Sequence, residues 1–525
     1  MNSFKTIGLS FTIVASALSL KAQSLQDGVK AYEVEQYGKA ARIFKNLIKT
    51  NPAAAETYYY LGQVYLETDK LDSAKQTFNK GIAANAQNQL NYIGLGQVNL
   101  EQESGIEAKK NFDKALSLTN PKDPKTLIAI GDAYINSEKS KNATQAVTYI
   151  TQAVEIDKKN PVAYLSLGDA YLEQGNGGAA ANNYEKAIEI NKMYTKAYLR
   201  KGQLFSRARN YNEALTSYQG GLKIDSTYSP LYRDLAELYY QFRKYDLATA
   251  TYKKYIQVSE DNVKTKTRYV NFLYQNKDYA QIVQIVNEVS KTDSSNVSIK
   301  RFMGYSLYEQ KQYEQGLRYM QKFLAKADKK KVIALDYEYY GKLLSKNNQD
   351  SAAILNFKKA MEMEPKPELN GEIGDVFFKD KNYLEAAKYY ELKVNTNKKP
   401  SNLDYFSLAK SYYYGADYVK ADTVFSKLSS LQPAWVQGYV WIARSRDLMD
   451  KEPKAFTAKP LFEKTIELGA VDATKNKKEL LDAYKYLGVY SIQKDDKANT
   501  KLYFSKILEL DPENAEAKKV MSQLK

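Results

Sequence analysis

At 525 residues and 59.7 kDa, with 77 Lys and Arg against 61 Asp and Glu, the chain is too long for one ordinary globular core and carries a formal charge of +16. It has no His and no Cys. That removes imidazole bases, thiol nucleophiles, disulfides and the usual zinc, haem and iron–sulfur ligand sets, leaving carboxylates, Lys, Tyr, Ser and Thr for any chemistry.

The first element reads as an export signal. Met1–Lys5 carries one basic side chain, Ile7–Leu20 is an apolar run, and Ala22 is a small residue before Gln23. A basic start, a short apolar middle and a small residue at the cut are the parts of a secretory signal peptide. Ala15-Ser16-Ala17 is a rival cut site, and an uncleaved anchor is the competing reading, although the run is shorter than the ~20 residues a span needs. Without Cys there is no lipoprotein anchor. The expectation is a segment 1–22 that directs the chain to the periplasm.

From there the chain repeats. A small residue recurs at Gly28, Gly62, Gly96, Gly131, Gly168, Gly202, Ala236, Gly304, Gly341, Gly374, Ala409, Ala443 and Gly488, with Val270 filling one gap. Seven of the thirteen intervals are 34 residues, which marks a repeat array rather than chance. Twelve residues after each comes a second small residue (Ala40, Ala74, Ala108 and so on), and four further a large one (Phe44, Phe78, Phe112, Tyr184, Tyr218, Phe425, Phe504). In the fourth and thirteenth repeats these markers fall three residues late, at Ala146 and Ile150 and at Ala458 and Phe462, which predicts an insertion in the internal turn. Each repeat reads as two amphipathic helices, A and B, in a hairpin. The small residues allow close approach, the aromatic fills the space between adjacent units, and Pro52, Pro161, Pro365, Pro400, Pro433 and Pro512 close units. The eighth repeat departs at all three markers, with Val270, Ile282 and Val286, and is a candidate joint between sub-arrays. Ala515–Lys525 reads as a polar capping helix, which such an array needs for solubility. Asp450–Lys454 and Val471–Lys478 read as surface loops.

Segments such as Leu61-Gly62-Gln63-Val64-Tyr65 and Leu167-Gly168-Asp169-Ala170-Tyr171, followed by the Ala, the aromatic and the Pro, resemble the tetratricopeptide repeat family over nearly all of the chain after residue 22. The resemblance implies an all-α, right-handed superhelical α-solenoid of about fourteen units. The organisation expected is a signal peptide over 1–22, units one to seven over 23–260, and units eight to fourteen with the capping helix over 261–525. It also implies a concave groove lined by the A helices, at positions three before and one after the first marker. In the middle units these positions and the next turn turn polar and aromatic: Arg233, Glu237, Tyr240, Asn271, Tyr274, Arg301, Tyr305 and Tyr308. Arg and Tyr dominate interface energetics, so this set is the expected protein-binding groove.

Bland readings hold elsewhere. Tyr65, Tyr134, Tyr171, Tyr239 and Tyr412 in A helices, and Tyr184, Tyr218, Tyr252 and Tyr390 in B helices, are expected in the core. Gly175-Asn176-Gly177-Gly178 lacks phosphate-loop spacing and is expected to be a turn. Only 11 of the 77 basic residues are Arg, which argues against a nucleic-acid reader. The function expected is a non-catalytic scaffold or adaptor of the cell envelope that docks peptides or helices of other proteins and needs no cofactor or metal, as in an assembly factor for a secretion, outer-membrane or motility complex. The alternatives are a binder of anionic envelope polysaccharide or lipid headgroups through the Lys-rich surface and, more distantly, a carboxylate-dependent cell-wall enzyme.

Overall fold

The computed structural model describes residues 24–120, 122–260, 262–292, 299–452 and 454–524. The expected signal segment lies outside the described residues. Among the described residues there are 29 α-helices and no strand. They fall into two compact units, divided between Asp278 and Tyr279.

The first unit holds α1 (Leu25–Glu33), α2 (Tyr37–Thr50), α3 (Ala55–Glu67), α4 (Leu71–Ala84), α5 (Gln89–Glu101), α6 (Gly105–Ser117), α7 (Pro124–Asn136), α8 (Ala143–Ile156), α9 (Pro161–Glu173), α10 (Gly177–Ile190), α11 (Thr195–Arg207), α12 (Tyr211–Ile224), α13 (Ser229–Gln241), α14 (Tyr245–Val258) and α15 (Val263–Gln275). The second holds α16 (Tyr279–Thr292), α17 (Lys300–Glu309), α18 (Tyr313–Lys326), α19 (Ala334–Lys346), α20 (Asp350–Met363), α21 (Glu368–Lys379), α22 (Tyr383–Thr396), α23 (Asn402–Tyr414), α24 (Tyr418–Leu431), α25 (Val436–Met449), α26 (Lys459–Gly469), α27 (Lys477–Gln493), α28 (Lys497–Leu510) and α29 (Ala515–Gln523). Odd-numbered helices up to α27 are A helices and even-numbered ones are B helices, which accommodates fourteen repeats. The eighth repeat contributes α15 to one unit and α16 to the other. α29 is the expected final helix, seated by Ala517 against Phe504 and Ile507.

The marker residues explain the hairpin. A Cβ added to Gly62 would stand 2.2 Å from the Phe78 ring, and one on Gly96 would stand 2.2 Å from Phe112. The B-helix aromatic therefore sits first on the bare backbone of its own A helix. It reaches the next repeat as well: Phe44 stacks on Tyr60 at 5.8 Å, and Phe425 on Trp441 at 5.5 Å. The ring thus fills the gap between units, as expected, and packs on its own hairpin besides. Each such ring is fully buried, and burying one stabilises by about 2–3 kcal/mol. Of the expected core tyrosines, Tyr184, Tyr218, Tyr252, Tyr390, Tyr239 and Tyr412 are buried and Tyr65, Tyr134 and Tyr171 half-buried.

The turn inside each hairpin has a recurring geometry. In α3–α4, the Lys70 N–H donates to the Tyr65 carbonyl at 2.9 Å and the Asp69 N–H to Leu66 at 3.1 Å, with Asp69 at φ +57°. This is a Schellman ending, which satisfies two of the orphan carbonyls of the A helix and reverses the chain in three residues. The same left-handed residue recurs seven positions after the first marker, as at Glu35, Glu103, Arg209, Lys311 and Asp495. Only in α9–α10 is it a glycine, Gly175 at φ +78°, so the Gly-rich run is a turn as expected. The fourth repeat lacks the motif. There Ser137–Asn142 spans six residues, and Ala146 and Ile150 pack on Gly131, which bears out the insertion. Ala458 and Phe462 are likewise the buried pair in the thirteenth.

Two expectations change. Pro161 opens α9 at its first turn rather than closing the preceding unit, because a missing N–H costs nothing there. Val471–Lys478 is only partly loop, since a short 3₁₀ turn covers Ala470–Asp472 and α27 begins at Lys477.

Candidate functional site

Neighbouring A helices pack on one another at α3–α5, α5–α7, α7–α9, α17–α19 and α25–α27 among others, while among the described residues no two neighbouring B helices pack comparably. The A helices therefore line the inner side of the curve. The two units use that side differently.

In the first unit the inner face is a chain of internal pairings. Gln63 donates to Gln97 at 3.1 Å. Asp169 accepts from the Tyr184 hydroxyl at 2.7 Å and from Arg200 at 3.2 Å. Arg200 donates to Gln203 at 3.0 Å, and Gln203 to Asp234 at 2.6 Å. Arg233 bonds Asp234 at 2.7 Å and also pairs with Glu35. Glu237 is held by both arms of Arg268, at 2.7 and 2.6 Å. Asp132 accepts from the Ser166 hydroxyl with Lys196, Asp169 and Arg200 nearby, and burial, the largest influence, pushes its carboxyl up to about 6.

The Arg233–Glu35 pair is one of four polar contacts that tie the first hairpin to the seventh. The Ser229 hydroxyl donates to the Val34 carbonyl at 2.7 Å, out of solvent. Gln36 donates to the Val258 carbonyl and the Gly38 N–H to Glu260, both at 2.9 Å. A cavity of about 610 Å³ lies between the first hairpin and α11 and the loop before α13, lined by Leu25, Val29, Lys30, Tyr60, Tyr194 and Tyr228 among others.

The eight residues expected to form the groove divide between the units. Arg233 and Glu237 are paired as described. Tyr240 packs against Tyr245 and Phe272, with ring centroids 5.6 and 5.3 Å away. Asn271 and Tyr274 are half-buried on α15. In the second unit Arg301 pairs with the buried Asp336 at 3.1 Å and donates to the Lys331 carbonyl at 2.7 Å. Tyr305 is 1% exposed, bonded through its hydroxyl to Asp336 and stacked on Tyr339 at 4.3 Å. Tyr308 lies beside Tyr313 and Tyr339. Tyr305 is therefore core, and the two arginines are already engaged by carboxylates.

A different cluster stands on the inner face of α21, α23 and α25. The Lys410 ammonium lies 5.6 Å from the Phe378 ring, 5.5 Å from Phe406 and 5.8 Å from Tyr414. Tyr414 is 46% exposed. Trp441 meets Tyr413 at 5.0 Å and Tyr414 at 6.2 Å, Arg444 covers Trp441 at 5.2 Å, and Trp435 meets Phe406 at 5.7 Å. Sequence reasoning missed this cluster, yet the signal was present. Phe406 and Lys410 stand three before and one after the Ala409 marker, and the chain's two Trp fall beside them.

Among the described residues no group of three or more carboxylates could hold a metal ion, and no helix is long and apolar enough to cross a membrane.

Two family models described as tetratricopeptide repeat match residues 31–95 and 165–229. Among solved structures, the C-terminal part of a repeat-containing protein of this type from Cytophaga hutchinsonii is 31% identical, with 48% of this chain and 98% of that one covered, at a TM-score of 0.44. The corresponding domain of P58(IPK) is 17% identical over 74% of this chain and 96% of that one, at 0.30. YrrB, described as having an unusual peptide-binding site, is 20% identical over 36% and 96%, at 0.23. No curated protein matches. With the 34-residue period, the paired helices and two matching family models, the chain belongs to the tetratricopeptide repeat family.

Proposed function

We propose that this protein is a non-catalytic scaffold of the bacterial cell envelope, exported to the periplasm, that holds peptide or helical segments of other proteins against its A-helix faces. The observation that carries the reading is the inner face itself. It is a long preformed surface of Tyr, Arg, Lys and carboxylates on rigid helices, suited to docking an extended partner at low ordering cost. Export rests on the basic, apolar and small-residue pattern of residues 1–22. Inner-face carboxylates such as Asp169 and Glu237 are tied up by Arg200 and Arg268, which favours binding over acid–base chemistry.

Expression of the full chain in a Gram-negative host tests export, with cell fractionation and the intact mass as readouts. A periplasmic product beginning near Gln23 supports the reading, and a cytoplasmic product that keeps Met1 sinks it. Crosslinking in the envelope fraction tests docking. Recovery of defined peptides of other envelope proteins linked to A-helix residues supports it. Recovery of polysaccharide alone, lost steeply with added salt, would replace it with the polyanion reading.

A further inference from the structure

We propose that the inner face of α21, α23 and α25 is a docking site for an acidic peptide segment, with a partner carboxylate on Lys410 and an apolar side chain of the partner among Phe378, Phe406 and Tyr414. This rests on the scaffold reading and names its site and the partner's chemistry.

Charge is the first ground. Four cations around this face are spoken for: Lys379 by Asp350 at 3.0 Å, Lys393 by Asp404 at 2.7 Å, Arg446 by Asp422 at 3.0 Å, and Arg444 by Asp482. Lys410 has no ion pair among the described residues and rests on three rings instead. Ring quadrupoles hold an ammonium in place without neutralising it, so its charge stays available to an incoming carboxylate in partly dried surroundings.

Shape is the second. Phe378 and Tyr414 meet at 5.9 Å with planes 76° apart, and Trp441 meets Tyr414 at 73°. Rings set edge to face offer ring edges and corners for an apolar side chain to pack against, not the flat shelf on which a sugar ring lies. Solvent reaches the spot: Tyr414 is 46% exposed and Leu384, packed on Gly415 beside it, is 56% exposed. Composition agrees, because Trp, Tyr and Arg are the residues around which interface energy concentrates.

The two tryptophans, Trp435 and Trp441, flank this cluster, so intrinsic emission reads it directly. The probe is a labelled dodecapeptide of Glu and Phe, titrated into the full chain and followed by both tryptophan emission and label anisotropy. A Gln-for-Glu copy and polygalacturonate serve as comparison probes. The expected result is saturable binding with a shift in tryptophan emission. Lys410→Gln weakens it about tenfold, the effect of one charge-assisted contact. Tyr414→Ala weakens it similarly, Lys410→Arg keeps it within about threefold, and the Gln copy binds about tenfold more weakly. Lys410 is partly exposed, and circular dichroism of each variant shows whether the fold is intact. Equal binding by wild type and both weakening variants, or by the Glu and Gln peptides, overturns the site. If anisotropy still reports binding without an emission change, the scaffold reading survives while this site falls. An emission response to polygalacturonate alone overturns the peptide in favour of a sugar polymer.

Discussion

The two units are built from one hairpin, and both pair inner-face charges internally, but they differ at two places. In the first, a chain of inner-face charges is paired within the unit, through Asp169–Arg200–Gln203–Asp234–Arg233, and the first hairpin is tied to the seventh through Val34, Glu35, Gln36 and Gly38. In the second, Lys410 stands on three rings with no ion pair among the described residues. The lesson is that residue type at a groove position does not make a binding residue. What counts is whether the fold has already supplied its partner. An arginine paired to two carboxylates contributes to stability, whereas an unpaired lysine on an aromatic seat is available.

The largest effect expected tests what the units share. Phe112→Ala in the first and Phe425→Ala in the second each leave a cavity between two repeats and should cost about 3–5 kcal/mol in chemical unfolding. Hydrogen exchange should rise around the lesion and fade over neighbouring repeats, since stability is summed between neighbours. A uniform rise along the whole chain would contradict that summation.

The tie in the first unit comes next. Ser229→Ala strands the buried Val34 carbonyl and should cost about 1–3 kcal/mol. Arg233→Met leaves Glu35 and Asp234 without their cation. Both should raise exchange in α1 and α2 while leaving α21–α25 unchanged, and protection of residues 25–50 equal to wild type would show the tie to be idle.

A pH effect follows from Asp132. Its folded carboxyl, raised by burial to about 6, lies above the ordinary value of 3.8. The folded state therefore binds its proton more tightly than the unfolded chain does, and stability falls as pH rises from about 4 to about 6. Above that window the ionised group costs about 1–2 kcal/mol, allowing for partial solvent access. Asp132→Asn should recover that amount at pH 7 and flatten the slope in the window. An unaltered slope would place the carboxylate in a well-solvated site.

The smallest effects lie in the turns, where the units should agree. Asp69→Gly in one and Lys311→Gly in the other relieve a left-handed residue at φ +57° and +62°. Each should gain about 0.5–1 kcal/mol, and Gly175→Ala should lose about the same. A gain in one unit only would mean that the two turns differ in ways their backbone does not reveal.

Much of this architecture was legible in the residues. The repeat length, the count of units, the late register at Ala146 and Ala458, the turn at Gly175 and the final helix all come from local pattern: a small residue, another twelve on, an aromatic four further. That pattern is local because helix pairing within a hairpin joins residues some sixteen apart, as Gly62 and Phe78 are. The Schellman turns went unread because their left-handed position is mostly filled by Glu, Asp, Arg, Lys, Asn and, at 416, Ala, which carry no mark of it in one sequence. The groove was read as positions relative to the first marker, and Phe406 and Lys410 of the proposed docking site occupy two of them. Their availability was not legible. Arg233 finds Glu35 across 198 residues, and Ser229 finds Val34 across 195. Such encounters depend on small rotations accumulated over seven hairpins, a sum no local spacing encodes. The sequence alone therefore determined the hairpin and its repetition. Only the tertiary structure decided which inner-face charges meet a partner inside the fold and which are left for another molecule.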